Sequence, residues 1–92
     1  MIKSFACKDT EKLFNDQWVW KFQSCERQAR KKLMHLHAAP SLNSLMLIPG
    51  NKLHLLSGDR KGQYAISIND QWRICFNWDG GHSYNVEIID YH

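Results

Sequence analysis

Apolar residues recur every three or four positions through the first half of this chain and every second position through its last third. Trp18, Phe22, Cys25, Ala29, Leu33 and Leu36 step by four, three, four, four and three, which draws one apolar stripe along a helix. Lys21, Arg27, Arg30, Lys31 and Lys32 lie off that stripe, opposed only by Glu26. Pro40 ends the run because its ring blocks a further helical turn. Ahead of it, residues 2–5 read as a short strand, and Asp9 and Thr10 are placed to cap a short helix carrying Leu13 and Phe14. Behind it, Ser41 starts one more turn through Leu45, and Pro49-Gly50 turns the chain toward strands.

Residues 52–57 form the first candidate of that strand run, followed by a turn-rich segment at 57–62. Two period-2 strands come next, with Tyr64, Ile66 and Ile68 on one face of the first and Trp72, Ile74, Phe76 and Trp78 on one face of the second. Register decides the turn between them. A two-residue loop at 69–70 would pair Ile66 with Arg73 and mix apolar with polar positions. A three-residue loop at 69–71 pairs Ile68 with Trp72, Ile66 with Ile74 and Tyr64 with Phe76, so it is the expected one. Asp79-Gly80-Gly81 then turns into a last strand with Tyr84, Val86 and Ile88 inward, ending at Asp90-Tyr91-His92. Helices followed by strands predict an α+β fold, with two N-terminal helices packed on a mostly antiparallel sheet. If the apolar parity faces the helices, Ser67, Arg73, Cys75, Glu87 and Tyr91 share the opposite face, and His54 points to the same side.

Ninety-two residues predict a single domain over 1–92. A 43% hydrophobic chain with four Trp, three Tyr and four Phe is too apolar for disorder. Three cysteines, Cys7, Cys25 and Cys75, are an odd number without CxxC spacing, which argues against a disulfide framework or a zinc site. The opening residues carry no apolar signal core, and no apolar run approaches the roughly 20 residues of a membrane span. A cytoplasmic protein is expected. The net charge of +3 is unevenly spread: residues 1–62 hold eleven of the twelve Lys/Arg, whereas residues 63–92 hold one against four acids. A basic half suits a polyanion such as RNA or DNA, and equally suits a solvated helix surface.

The candidate chemistry is set by what is missing. No glycine-rich phosphate loop is present, and His35 and His37 are two apart, so they cannot face one metal from a helix. Neither metal nor cofactor is expected. His54, Arg60, Lys61, Arg73, Tyr91 and His92 remain, and they suit cleavage of RNA by its own 2′-hydroxyl. That reaction needs a base for the 2′-OH proton, a cation for the charged transition state and an acid for the leaving 5′-oxygen. Histidine titrates near neutrality, and arginine grips phosphate oxygens two at a time. Lys31 and Lys32 read as RNA contacts or as solvated helix. Trp18, Phe22, Trp72 and Trp78 read as core, and Trp20, off the stripe, as an exposed aromatic.

Four segments carry a family resemblance. The start Ile2-Lys3-Ser4-Phe5, the stretch from Gly50 through Leu53-His54-Leu55 to Gly62, the hairpin Ser67 to Phe76 with Trp72-Arg73, and the end Val86 to Tyr91-His92 together resemble HigB-type toxins of the RelE/ParE toxin-antitoxin superfamily. The resemblance runs from end to end and is weakest in the helical middle. It implies a compact RelE-like fold and a toxin that cuts mRNA on the 70S ribosome without a metal. It also implies a HigA-type antitoxin as partner, with operator DNA reached only through the antitoxin complex. In this family the matching residues are associated with the active site, so His54, Arg73, Tyr91 and His92 are the expected catalytic set, with Arg60, Lys61, Lys31 and Lys32 as RNA contacts. Which histidine is acid and which base stays open. Ser57 and Ser67 stand where members carry a lysine and an arginine, so two cations are absent from the pattern. A gyrase-poisoning ParE-like protein and an inactive relic that binds only antitoxin and operator are the competing readings.

Overall fold

The computed structural model describes residues 1–91, and the expected role of His92 lies outside the described residues. Three helices, α1 (Lys8–Phe14), α2 (Glu26–Ala38) and α3 (Leu42–Met46), cover one face of a sheet. The sheet has four strands, β1 (His54–Leu55), β2 (Tyr64–Ser67), β3 (Trp72–Asp79) and β4 (His82–Asp90), in the order β1-β2-β3-β4, with every neighbouring pair antiparallel. The expected α+β class is observed. Ser41 starts α3, its Oγ accepting from Ser44 N at 3.2 Å.

The apolar stripe forms the core from Phe22 onward. Phe22, Cys25, Ala29, Leu33 and Leu36 are all buried. Trp18 is not: it is 61% exposed, against the expectation that it belongs to the core. The helix begins only at Glu26, after a single 3₁₀ turn at Trp20–Phe22. Upstream of that turn, Arg30 pairs with Asp16 and its Nη2 donates to Gln17 O at 3.1 Å, which ties the loop to α2 in a non-helical path. Val19, with extended backbone (φ −127°, ψ 112°), takes the inward place and leaves Trp18 and Trp20 outside. Phe22 meets Trp72 edge to face at 5.4 Å, locking the helical layer onto β3.

Three other expectations change. Residues 2–5 make two isolated parallel bridges to β4, Ile2 with Ser83 and Phe5 with Val86, rather than a regular strand. Cys7, not Asp9 or Thr10, precedes α1, and no side chain caps it. Thr10 is buried instead, and its Oγ1 accepts from Ile88 N at 3.0 Å, pinning α1 to β4. The strand expected over 52–57 shrinks to two residues, between Lys52 (φ 49°) and Gly58 (φ 67°), whose left-handed backbones cannot continue a ladder.

The β2–β3 register is the expected one, with Ile66 opposite Ile74 and Tyr64 opposite Phe76. On β4 the alternation slips. Cys75 faces Glu87, yet Asn77 faces Tyr84, because Asn85 (φ 54°) inserts one extra residue. The slip exchanges faces beyond it, so Ser83 is buried and Tyr84, expected inward, is only half-buried. A buried asparagine braces the link into β1. Asn51 Nδ2 donates to Leu45 O at 3.0 Å, its Oδ1 accepts from Lys32 Nζ, and its carbonyl accepts from Ser67 N at 2.7 Å. This places the start of β1 against the end of β2.

Candidate active site

The uncovered face of the sheet gathers residues from three elements. His54 comes from β1, Arg73 from the start of β3 and Tyr91 from the position just past β4. Tyr91 is held there by its backbone, whose N–H donates to Gln71 O at 2.6 Å beside the β2–β3 turn. The Arg73 guanidinium lies over the Tyr91 ring, its Cζ 3.0 Å from the ring centre. This is a cation on the negative face of an aromatic, and stacking leaves the edges of the guanidinium plane open for hydrogen bonds.

Arg73 Nη1 also sits 3.2 Å from His54 Nε2, while His54 Nδ1 is 2.9 Å from Lys52 O. Guanidinium only donates and a carbonyl only accepts. The two contacts therefore fix the tautomer: Nδ1 carries the proton, and Nε2 presents its lone pair toward Arg73. The left-handed backbone of Lys52 accompanies the turn of its carbonyl back onto the ring two residues later.

These three residues line a cleft of about 430 Å³ together with Ser57, Asp59, Arg60 and Cys75. Arg60, on the 3₁₀ turn Gly58–Arg60, has Nη1 at 3.1 Å from both Glu87 Oε1 and Gln63 Oε1. Burial pushes the Cys75 thiol up; Arg60 and Arg73 pull it down and Glu87 pushes it up, with burial prevailing. A protonated, fully buried thiol is a poor nucleophile, so Cys75 serves as floor.

The remaining expected RNA contacts lie elsewhere. Lys61 lines an adjoining recess of about 570 Å³ with Asp59, Arg60, Gln63 and Asn77. Lys31 and Lys32 are on α2, outside the cleft lining, and Lys32 is committed to Asn51. Burial, and the neighbouring Lys31, hold the Lys32 ammonium below its usual range. Ser57 lines the main cleft, and Ser67 lines a smaller recess of about 150 Å³ that also touches His54, Arg73 and Tyr91. Asp59, Gln63 and Asn77 were not expected at the site. Asn77 shares the odd parity of Arg73 and Cys75 on β3, which is the signal that marks it. Asp59 and Gln63 depend on how the 58–63 turn folds, and nothing in the alternation reports that. Among the described residues no three His, Cys, Asp or Glu side chains are grouped to hold a metal ion.

Comparison with known proteins places the chain in a family. The family described as the RelE-like toxin of the type II toxin-antitoxin system HigB matches residues 3–92. The chain belongs to the HigB-like toxin family. Toxin HigB-1 of Vibrio cholerae serotype O1 (strain ATCC 39315 / El Tor Inaba N16961) is 31% identical over 86 residues, covering 82% of this chain and 90% of that protein. Endoribonuclease HigB of Proteus vulgaris is 44% identical over 41 residues, 45% of each chain. Two structures of the YoeB–YefM complex from Staphylococcus aureus, one a heterotetrameric toxin-antitoxin assembly, superpose with TM-scores of 0.61 and 0.62. They cover 100% of this chain and 95% of theirs at 19% and 22% identity, and they establish the shared fold of the HigB-like chain. No helix among the described residues is long and apolar enough to cross a membrane.

Proposed function

We propose that this HigB-like toxin is an endoribonuclease that cuts mRNA on the ribosome by attack of the 2′-hydroxyl on the adjacent phosphate. The contact of His54, Arg73 and Tyr91 in one open cleft carries the reading. In the free protein, Arg73 occupies the His54 lone pair. When a phosphate enters, the guanidinium turns its donor edge to the anionic oxygens, which are far stronger acceptors than an imidazole nitrogen. His54 Nε2 is then free to take the 2′-OH proton, and the Lys52 carbonyl steadies the imidazolium through Nδ1–H. Arg73 offsets the growing negative charge of the phosphorane-like transition state, with Tyr91 holding its plane. His92, the next residue along, supplies the proton to the leaving 5′-oxygen. Arg60 and Lys61, which line the cleft and its adjoining recess, contribute charge toward the RNA. No step uses a metal or cofactor.

A HigA-type antitoxin is the proposed restraining partner, with operator DNA reached through that complex, and the cytoplasm is the proposed site of action. The reading is tested by primer extension on a defined mRNA in a purified translation system, with and without ribosomes. Cuts that require ribosomes and disappear in the His54→Ala/Arg73→Ala protein support it. Cuts that persist in that double variant refute the site, and cuts on naked RNA refute the ribosome requirement.

A further inference from the structure

The main cleft continues into the Lys61 recess, and the two share Asp59 and Arg60. Arg60 therefore lines both hollows. Its mounting is specific. Both hydrogens of Nη1 are used, one toward Glu87 Oε1 and one toward Gln63 Oε1, each at 3.1 Å. Gln63 Nε2 in turn donates to Asn77 Oδ1 at 3.1 Å, and Asn85 Nδ2 donates to the same oxygen at 3.1 Å. The β4 slip at Asn85 leaves that side chain exposed beside Asn77, and so completes the row. Among the described residues, Arg60 Nε and Nη2 take no partner, which leaves one donor edge of the guanidinium for an anion. A planar fork held from one side and open on the other is suited to a phosphate.

We propose that Arg60, aimed by Glu87 and Gln63, forms a second phosphate subsite that grips a neighbouring, non-scissile phosphate of the same RNA strand. The inference rests on the ribonuclease reading of the cleft and adds to it where the strand runs: from the reacting phosphate at Arg73, past Arg60, toward Gln63 and Asn77. Glu87 is a positioning residue. Its carboxylate does not meet RNA, and it acts only by fixing Arg60.

The test is a set of short synthetic mRNAs, each with a single uncharged methylphosphonate linkage at one position near the cut, presented on ribosomes. Wild type loses about ten- to a hundredfold in cleavage rate at one position other than the scissile linkage, the range for a hydrogen-bonded charge pair. Arg60→Ala is slow on every message by a similar factor and is indifferent to that position. Glu87→Ala loses most of the same sensitivity, and adding Glu87→Ala to Arg60→Ala changes nothing further. Arg60→Lys recovers only part of the rate. Melting temperatures measured beside these rates separate misfolding from a lost contact. The subsite is refuted if Arg60→Ala shows the wild-type interference pattern, or if the Arg60 and Glu87 effects multiply. A wild type that cuts no unmodified message instead refutes the ribonuclease reading. The subsite is then read by fluorescence anisotropy with all-2′-deoxy oligonucleotides, where removing one charge must weaken wild type and leave Arg60→Ala unaffected, or the proposal fails.

Discussion

Replacing Arg73 by lysine keeps the charge and removes the shape. In the structure one planar guanidinium spans the Tyr91 ring at 3.0 Å and reaches His54 Nε2 at 3.2 Å. An ammonium on a flexible stem cannot lie flat on the ring and present two parallel donors to a phosphate at once. The stacking contributes about 0.5–2 kcal/mol, and one charge-assisted hydrogen bond about 1.5–3 kcal/mol. A lysine that recovers part of each leaves a deficit of about 2–3 kcal/mol in the transition state, or roughly thirty- to a hundred-and-sixtyfold in rate. Arg73→Ala loses the whole oriented cation and is expected to fall by about a hundred- to a thousandfold. Folding changes little, because Arg73 is only half-buried on the uncovered face, and such substitutions stay within about 1 kcal/mol. The assay is single-turnover cleavage on programmed ribosomes at saturating toxin, paired with a thermal melt of each variant. An Arg73→Lys protein within about threefold of wild type would show that neither the fork nor the stack matters and would refute the role given to this residue.

Three further outcomes follow from the same geometry. Tyr91→Phe keeps the aromatic face under Arg73 and is expected to retain most activity, whereas Tyr91→Ala loses about tenfold or more; equal loss in both would assign the role to the hydroxyl instead. Asn51→Ala strands the Leu45 carbonyl and removes the Lys32 contact, so a urea melt should show about 2–3 kcal/mol lost; an unchanged midpoint would mean that water replaces the amide. Burial, with the charges of Lys32 and Lys31, holds the His35 pKa below 6.5, so the unfolded chain binds more protons than the fold in mild acid. The His35 contribution is thus complete above that value and lost as pH falls through it and down to the lower folded pKa. His35→Gln should lose less stability than wild type between about pH 7.5 and 5, and identical losses would contradict the assignment.

The strands were the most legible part of the molecule, because period-2 alternation over Tyr64 to Trp78 allows only one register that keeps apolar residues together. The same parity placed Arg73 and Glu87 on the uncovered side together with His54. It failed at Tyr84, where a single left-handed Asn85 shifts the count and no alternation pattern announces the bulge. The helical stripe failed at Trp18 for a comparable reason. Periodicity sees spacing, while the break before Glu26 comes from a long-range tie between Arg30 and the 16–17 loop. At the candidate site, residue types indicated the chemistry, but the His54 tautomer needs the Lys52 carbonyl, and the Arg60 mounting needs Glu87 from a strand 27 positions away. The serines at 57 and 67 line the cleft and its smaller neighbour, so the absent cations are absent from the site itself, which leaves Arg60 as its second guanidinium.

The most direct test of the account is cleavage of one defined mRNA on ribosomes, compared with the same message carrying a single 2′-deoxynucleotide on the 5′ side of the cut. The account predicts that wild type cuts the first message and leaves the second intact at that position. Cutting of both would contradict attack by the 2′-hydroxyl, and cutting of neither by folded protein would contradict the ribonuclease itself.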